Sequence, residues 1–67
     1  MKKSVEYVAR KLATETYERY LDIIEALPPN PNELKAYEEE NWKIHVNAAE
    51  RMVQEILRLE ANERLIT

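Results

Sequence analysis

All three prolines of this chain fall within four positions, at Pro28, Pro29 and Pro31, and glycine occurs nowhere in it. Proline removes a helix-interior donor and drives the residue before it out of the α region, while glycine is the other residue that ordinarily ends helices and opens turns. With one cluster of breakers, the 67 residues have one place to reverse direction and an uninterrupted stretch on either side of it.

Before the break, Val5, Val8, Ala9, Leu12, Ala13, Thr16, Tyr20, Ile23, Ile24 and Leu27 recur at spacings of three and four, the period of one helix face. Ser4 stands where a hydroxyl can cap the first turn. Glu6 with Arg10, and Glu15 with Arg19, place an acid four residues ahead of a base, the order that supports a helix by about 0.2–0.5 kcal/mol per pair. A first helix is expected over residues 5–27.

After the break, Asn30 can cap a second helix, Pro31 suits its first position, and Glu33 can reach back to close a capping box. Leu34, Tyr37, Trp42, Ile44, Ala48, Ala49, Met52, Val53, Ile56, Leu57 and Leu59 follow without a breaker, so the second helix is expected over 31–64. It is expected to run unbroken through Asn41 and Trp42, helped by a Glu39–Lys43 pair.

A turn confined to 28–30 can only send the chain back on itself, which gives an all-α, antiparallel two-helix hairpin forming one domain over 1–67. Pairing by length sets Ile23 near Glu38, Tyr20 near Asn41, Thr16 near His45 and Val5 near Ile56. At 1.5 Å per residue the first helix is about 35 Å long and the second about 50 Å, so Leu57, Leu59, Leu65 and Ile66 overhang their neighbour.

The apolar residues of the second helix also cover more of its circumference than one neighbour can bury. On the first helix Tyr17, Leu21 and Ile24 form a flank beside the main stripe, and on the second Val53, Leu57 and Leu59 do the same. These six are the candidate interface residues. A chain this short buries only about 60% of its unfolded surface and has no cysteine with which to staple itself, so association is the remaining route to stability. A four-helix-bundle dimer or higher oligomer is expected, with another protein as a further partner.

The net charge of -3 opposes approach to nucleic acid or an anionic membrane, and Lys2, Lys3, Arg10 and Lys11 are too sparse for a nucleic-acid footprint. No apolar run approaches the roughly 20 residues that cross a bilayer. The start carries no apolar signal segment and cysteine is absent, so a cytoplasmic chain is expected.

Without glycine there is no phosphate-cradling loop, and without cysteine no thiol nucleophile or zinc finger. The single serine, Ser4, reads as a cap, and His45 has Trp42 rather than a glutamate three residues before it, unlike a di-iron bundle. Glu15 and Glu18 with Glu38 and Glu39 resemble the paired acids of all-α nucleotide pyrophosphohydrolases, which bind magnesium. Asn41 stands where that pattern prefers aspartate and the chain is shorter than such domains, so the four read as a solvated charged face. Neither a metal nor a cofactor is expected, and the chain is not expected to be an enzyme.

One constellation interrupts the apolar seam. Thr16, Tyr20, Asn41 and His45 are expected to converge beside Trp42, either as a hydrogen-bonded layer that fixes register or as the lining of a small-ligand pocket. The leading functional expectation is a small non-enzymatic interaction module, an adaptor, inhibitor or assembly factor, acting through an exposed apolar helix face. The alternative is an oligomeric ligand-binding bundle with its pocket at the hairpin or dimer interface.

Overall fold

The computed structural model describes residues 1–66, with no strand among them. Helix α1 spans Lys3–Ile23, α2 spans Pro31–Asn41 and α3 spans Val46–Ile66, with a 3₁₀ turn over Trp42–His45 leading from α2 straight into α3. The all-α class and the longer second helical segment agree with the sequence, whereas its interruption and the boundaries of the first helix differ.

The first helix begins earlier than expected. Lys2 is the N-cap residue, in an extended conformation and without a side-chain cap, and its carbonyl accepts from the amides of Val5 and Glu6, both at 3.1 Å. Ser4 therefore lies inside the first turn and caps nothing. The same helix also ends earlier, at Ile23 rather than residue 27.

Its end is a Schellman motif. The Ala26 amide donates to the Leu21 carbonyl at 2.9 Å and the Glu25 amide to that of Asp22 at 3.1 Å. The motif needs a left-handed residue, and Glu25 supplies it at φ 58, where glycine would sit freely and a side chain costs about 1–2 kcal/mol. The reversal thus occupies 24–30 instead of 28–30, and Ala26, Pro28 and Pro29 fold back beside Glu18, Leu21 and Asp22 of α1.

At the start of α2 the sequence pattern holds. The Asn30 side-chain oxygen accepts from the Glu33 amide at 2.8 Å, and Pro31 occupies the first helical position. The Glu33 carboxylate returns to the side-chain amide of Asn30 at 3.2 Å, a variant of the reciprocal box.

The expected continuity through Asn41 and Trp42 fails. Asn41 adopts φ -120, ψ -7, and its side-chain amide donates to the Tyr37 carbonyl at 3.0 Å, back-bonding of the kind that bends helices. Trp42 is thereby turned into the core, where 9% of it remains exposed. Removing about 150–250 Å² of indole from water is worth about 4–6 kcal/mol, against about 1–3 kcal/mol for the sparsely populated backbone conformation. Burial of the ring wins over helix regularity.

The two arms of the second segment treat α1 differently. Helix α3 runs back along α1, with Val5 beside Val53 and Leu57 rather than the anticipated Ile56. Helix α2 departs further from the expected pairing, since Glu38 pairs with Arg10 instead of lying near Ile23. Arg10 and Tyr17 contact α2 from about a quarter turn around α1 from the Val5, Ala9 and Ala13 face. Among the described residues, helices α2 and α3 meet only through the 3₁₀ turn.

The core is small: Val5, Ala9, Ala13, Trp42 and Ala49 are buried, with Val8, Leu12, Tyr37, Val46 and Val53 packed around them. Three of the five are alanines, which lets the backbones approach while the indole fills the remaining gap. The radius of gyration is 15.0 Å, where a compact chain of this length gives about 11 Å. The accessible surface is 5720 Å², against roughly 4,450 Å² for a compact monomer of this mass.

Candidate functional site

Following the apolar stripe of α1 along the helix shows where the covering stops. Val5, Ala9 and Ala13 are buried, yet Thr16, Tyr20 and Ile23, which continue the same face, are exposed. Ile23 retains 74% of its surface and Tyr20 57%. The reason is the placement of α2, which packs on the neighbouring Arg10 and Tyr17 flank and leaves this face open. Leu12, Thr16, Tyr20 and Ile23 line a shallow groove there, bordered by Glu15 and Arg19.

Helix α3 carries the matching surplus. Met52, Ile56 and Leu59 are all exposed, spaced four and then three residues apart on one side of the helix. Leu57 lies near Met1 and Lys2, so the part of α3 after it extends past the start of α1. The anticipated overhang therefore includes Leu59 but begins only after Leu57, which lines a groove with Met1 and Val5, and the side chains of Leu65 and Ile66 lie outside the described residues.

The expected interface flanks divide. Ile24, Leu57 and Leu59 are exposed, whereas Leu21 and Val53 are half-buried. Tyr17 already has a partner within the chain, its ring stacked on Tyr37 with centroids 4.2 Å apart and planes 6° from parallel. Val53 packs on the core.

The expected polar seam does not assemble. Thr16 and Tyr20 face the open groove, while Trp42 is in the core and Asn41 directs its amide to the Tyr37 backbone. Among the described residues no hydrogen bond joins Thr16 or Tyr20 to Asn41 or His45. The Nε2 atom of half-buried His45 is enclosed without a hydrogen-bond partner.

A cluster that spacing could not reveal is centred on Arg10. Its guanidinium donates to Glu39 at 2.8 Å and Glu38 at 3.2 Å on α2, reaches Glu6 at 3.4 Å on its own helix, and lies 4.9 Å over the Trp42 ring. Partial burial disfavours its charged form, but the hydrogen bonds to Glu39 and Glu38, the Glu39 charge and the bond to Glu6 outweigh it. The guanidinium pKa is consequently held above its ordinary value. Glu39 thus turns to Arg10, while the Lys43 ammonium lies 5.9 Å over the other partner of Arg10, the Trp42 ring. The sequence hinted only at the local Glu6–Arg10 pair, because the long-range partners depend on where α2 lands.

Of the acids that suggested magnesium chemistry, Glu38 and Glu39 are held by Arg10, and Glu15 and Glu18 lie beside the folded-back loop. Among the described residues no group of three or more metal-ligating side chains gathers, and no helix is long and apolar enough to cross a membrane. No protein-family model matches the chain, and neither a curated protein nor a solved structure matches it.

Proposed function

We propose that this chain is a small, non-enzymatic protein-interaction module that docks an exposed apolar helix face on other helices, completing a helical bundle that it cannot complete alone. The observation that carries this reading is the pair of uncovered stripes, Thr16, Tyr20 and Ile23 on α1 and Met52, Ile56 and Leu59 on α3. Such contiguous apolar faces on a soluble chain ordinarily mark interaction sites. The surface excess of roughly 1,300 Å² over a compact monomer supports it, being of the size one partner contributes to a stable interface.

In this reading the module works in the cytoplasm as an adaptor, inhibitor or assembly factor, and assembly into a four-helix bundle supplies the missing core. The pocket alternative has less behind it, since two of its five residues face open groove and the Asn41 amide is already engaged. Sedimentation equilibrium of the purified chain at micromolar concentration, followed by thermal unfolding, tests the proposal. Association, or weak cooperativity that a partner restores, is expected; a monomer that melts cooperatively on its own would overturn it.

A further inference from the structure

We propose that the partner of these faces is a second copy of the chain, laid antiparallel across a two-fold axis so that the exposed stripe of each α3 covers the open half of the other copy's α1 face. This rests on the interaction reading above and names the partner of the same surface.

The lengths agree. From Thr16 to Ile23 the uncovered stripe of α1 runs about 10 Å, and from Met52 to Leu59 the exposed stripe of α3 runs about 10 Å. The two stripes lie toward opposite ends of a molecule 47 Å long. An unrelated partner would have to match both separately, whereas a copy turned end for end presents each stripe to the other and makes every contact twice.

The spacing agrees as well. Thr16, Tyr20 and Ile23 step by four and three, and Met52, Ile56 and Leu59 step by four and three in the same direction, the alternation of an interdigitating helical seam. Because α1 and α3 run antiparallel within a chain, turning the copy end for end sets its α3 parallel to α1, so that Thr16 meets Met52, Tyr20 meets Ile56 and Ile23 meets Leu59.

The area is sufficient. Covering the excess on two chains removes roughly 2,500 Å² from water, within the range of obligate homodimers. Each chain then gains the second apolar layer that a core of five buried residues lacks.

The natural absence of cysteine makes cross-linking decisive. Tyr20→Cys and Ile56→Cys, both at exposed positions, are prepared as separate full-length chains, oxidised singly and as an equal mixture, and the unmodified chain is sedimented alongside. A disulfide needs Cα atoms within about 7 Å. The mixture should give the mixed disulfide as its main product, neither variant alone should cross-link to itself, and the unmodified chain should sediment at twice the monomer mass. Rapid self-linkage of Ile56→Cys, or a dimer whose mixture yields no mixed disulfide, would overturn the antiparallel arrangement. A monomer with weak, non-cooperative melting would overturn the second copy yet leave a different protein partner standing. A cooperatively melting monomer would overturn both readings.

Discussion

The two halves of α1 carry one continuous stripe with opposite fates. Val5, Ala9 and Ala13 are buried against the Trp42 and Ala49 side of the fold, while Thr16, Tyr20 and Ile23 are exposed. Periodicity does not distinguish them. What separates them is the 3₁₀ turn at Trp42–His45, which keeps α3 on the stripe but swings α2 onto the Arg10 and Tyr17 flank. A hydrophobic stripe shows which face of a helix seeks cover, and the geometry of its neighbour sets how much of that face is covered.

The comparison breaks most completely if the pivot is removed. Trp42→Ala should cost about 3–5 kcal/mol, because the indole is the only large side chain buried among the described residues. In a chain with so small a core, denaturant unfolding followed by circular dichroism should show loss of the cooperative transition. Retention of a sharp transition would mean that the ring does not hold the two arms together.

The two halves are separated by making one substitution in each. Ala13→Leu should destabilise the fold by about 1–3 kcal/mol, since Ala13 is fully buried and the close helix approach leaves no room for a larger side chain. Thr16→Leu, three residues on along the same face, should leave monomer stability nearly unchanged and strengthen self-association. Equal penalties at both positions, measured by urea titration, would erase the distinction.

The smallest effect lies at the far end of the open half. Glu25→Gly should raise stability by about 1 kcal/mol, because glycine adopts the left-handed Schellman position without the side-chain penalty. Thermal unfolding should show a higher midpoint with unchanged cooperativity. A lower midpoint would indicate that the Glu25 side chain contributes a contact worth more than the strain.

The helical class, the location of the reversal and the Asn30–Pro31 start were legible because each rests on local chemistry: breaker positions, a cap and a fixed φ. The antiparallel return of α3 along α1 was legible for a similar reason, a chain reversal fixed by the breakers. The early end of α1 was not, because the usual signal is glycine and here a glutamate occupies its position. The break at Asn41 left a faint trace, a step of five from Tyr37 to Trp42 where the helical period asks for three or four, next to a residue able to back-bond to the chain.

That missed break is also why the polar seam was misplaced. Once α2 swings away, the Asn41 amide turns to the Tyr37 carbonyl, and Thr16 and Tyr20, hydrogen-bonded to neither Asn41 nor His45 among the described residues, line the exposed groove instead. Of the candidate interface residues, the exposure of Leu59 was readable from the overhang. The Tyr17–Tyr37 stack was not, since it joins two residues that the straight hairpin keeps apart.

The central claim, that one stripe is half covered within the chain and half reserved for a partner, is tested most directly by amide hydrogen exchange along α1 as protein concentration is raised. Exchange from Val5 to Ala13 should be slow at the lowest concentration that remains folded and change little thereafter. Exchange from Thr16 to Ile23 should start fast and slow progressively as chains associate. Equal protection of both halves at every concentration would contradict the account, because the open half would then be stabilised without a partner.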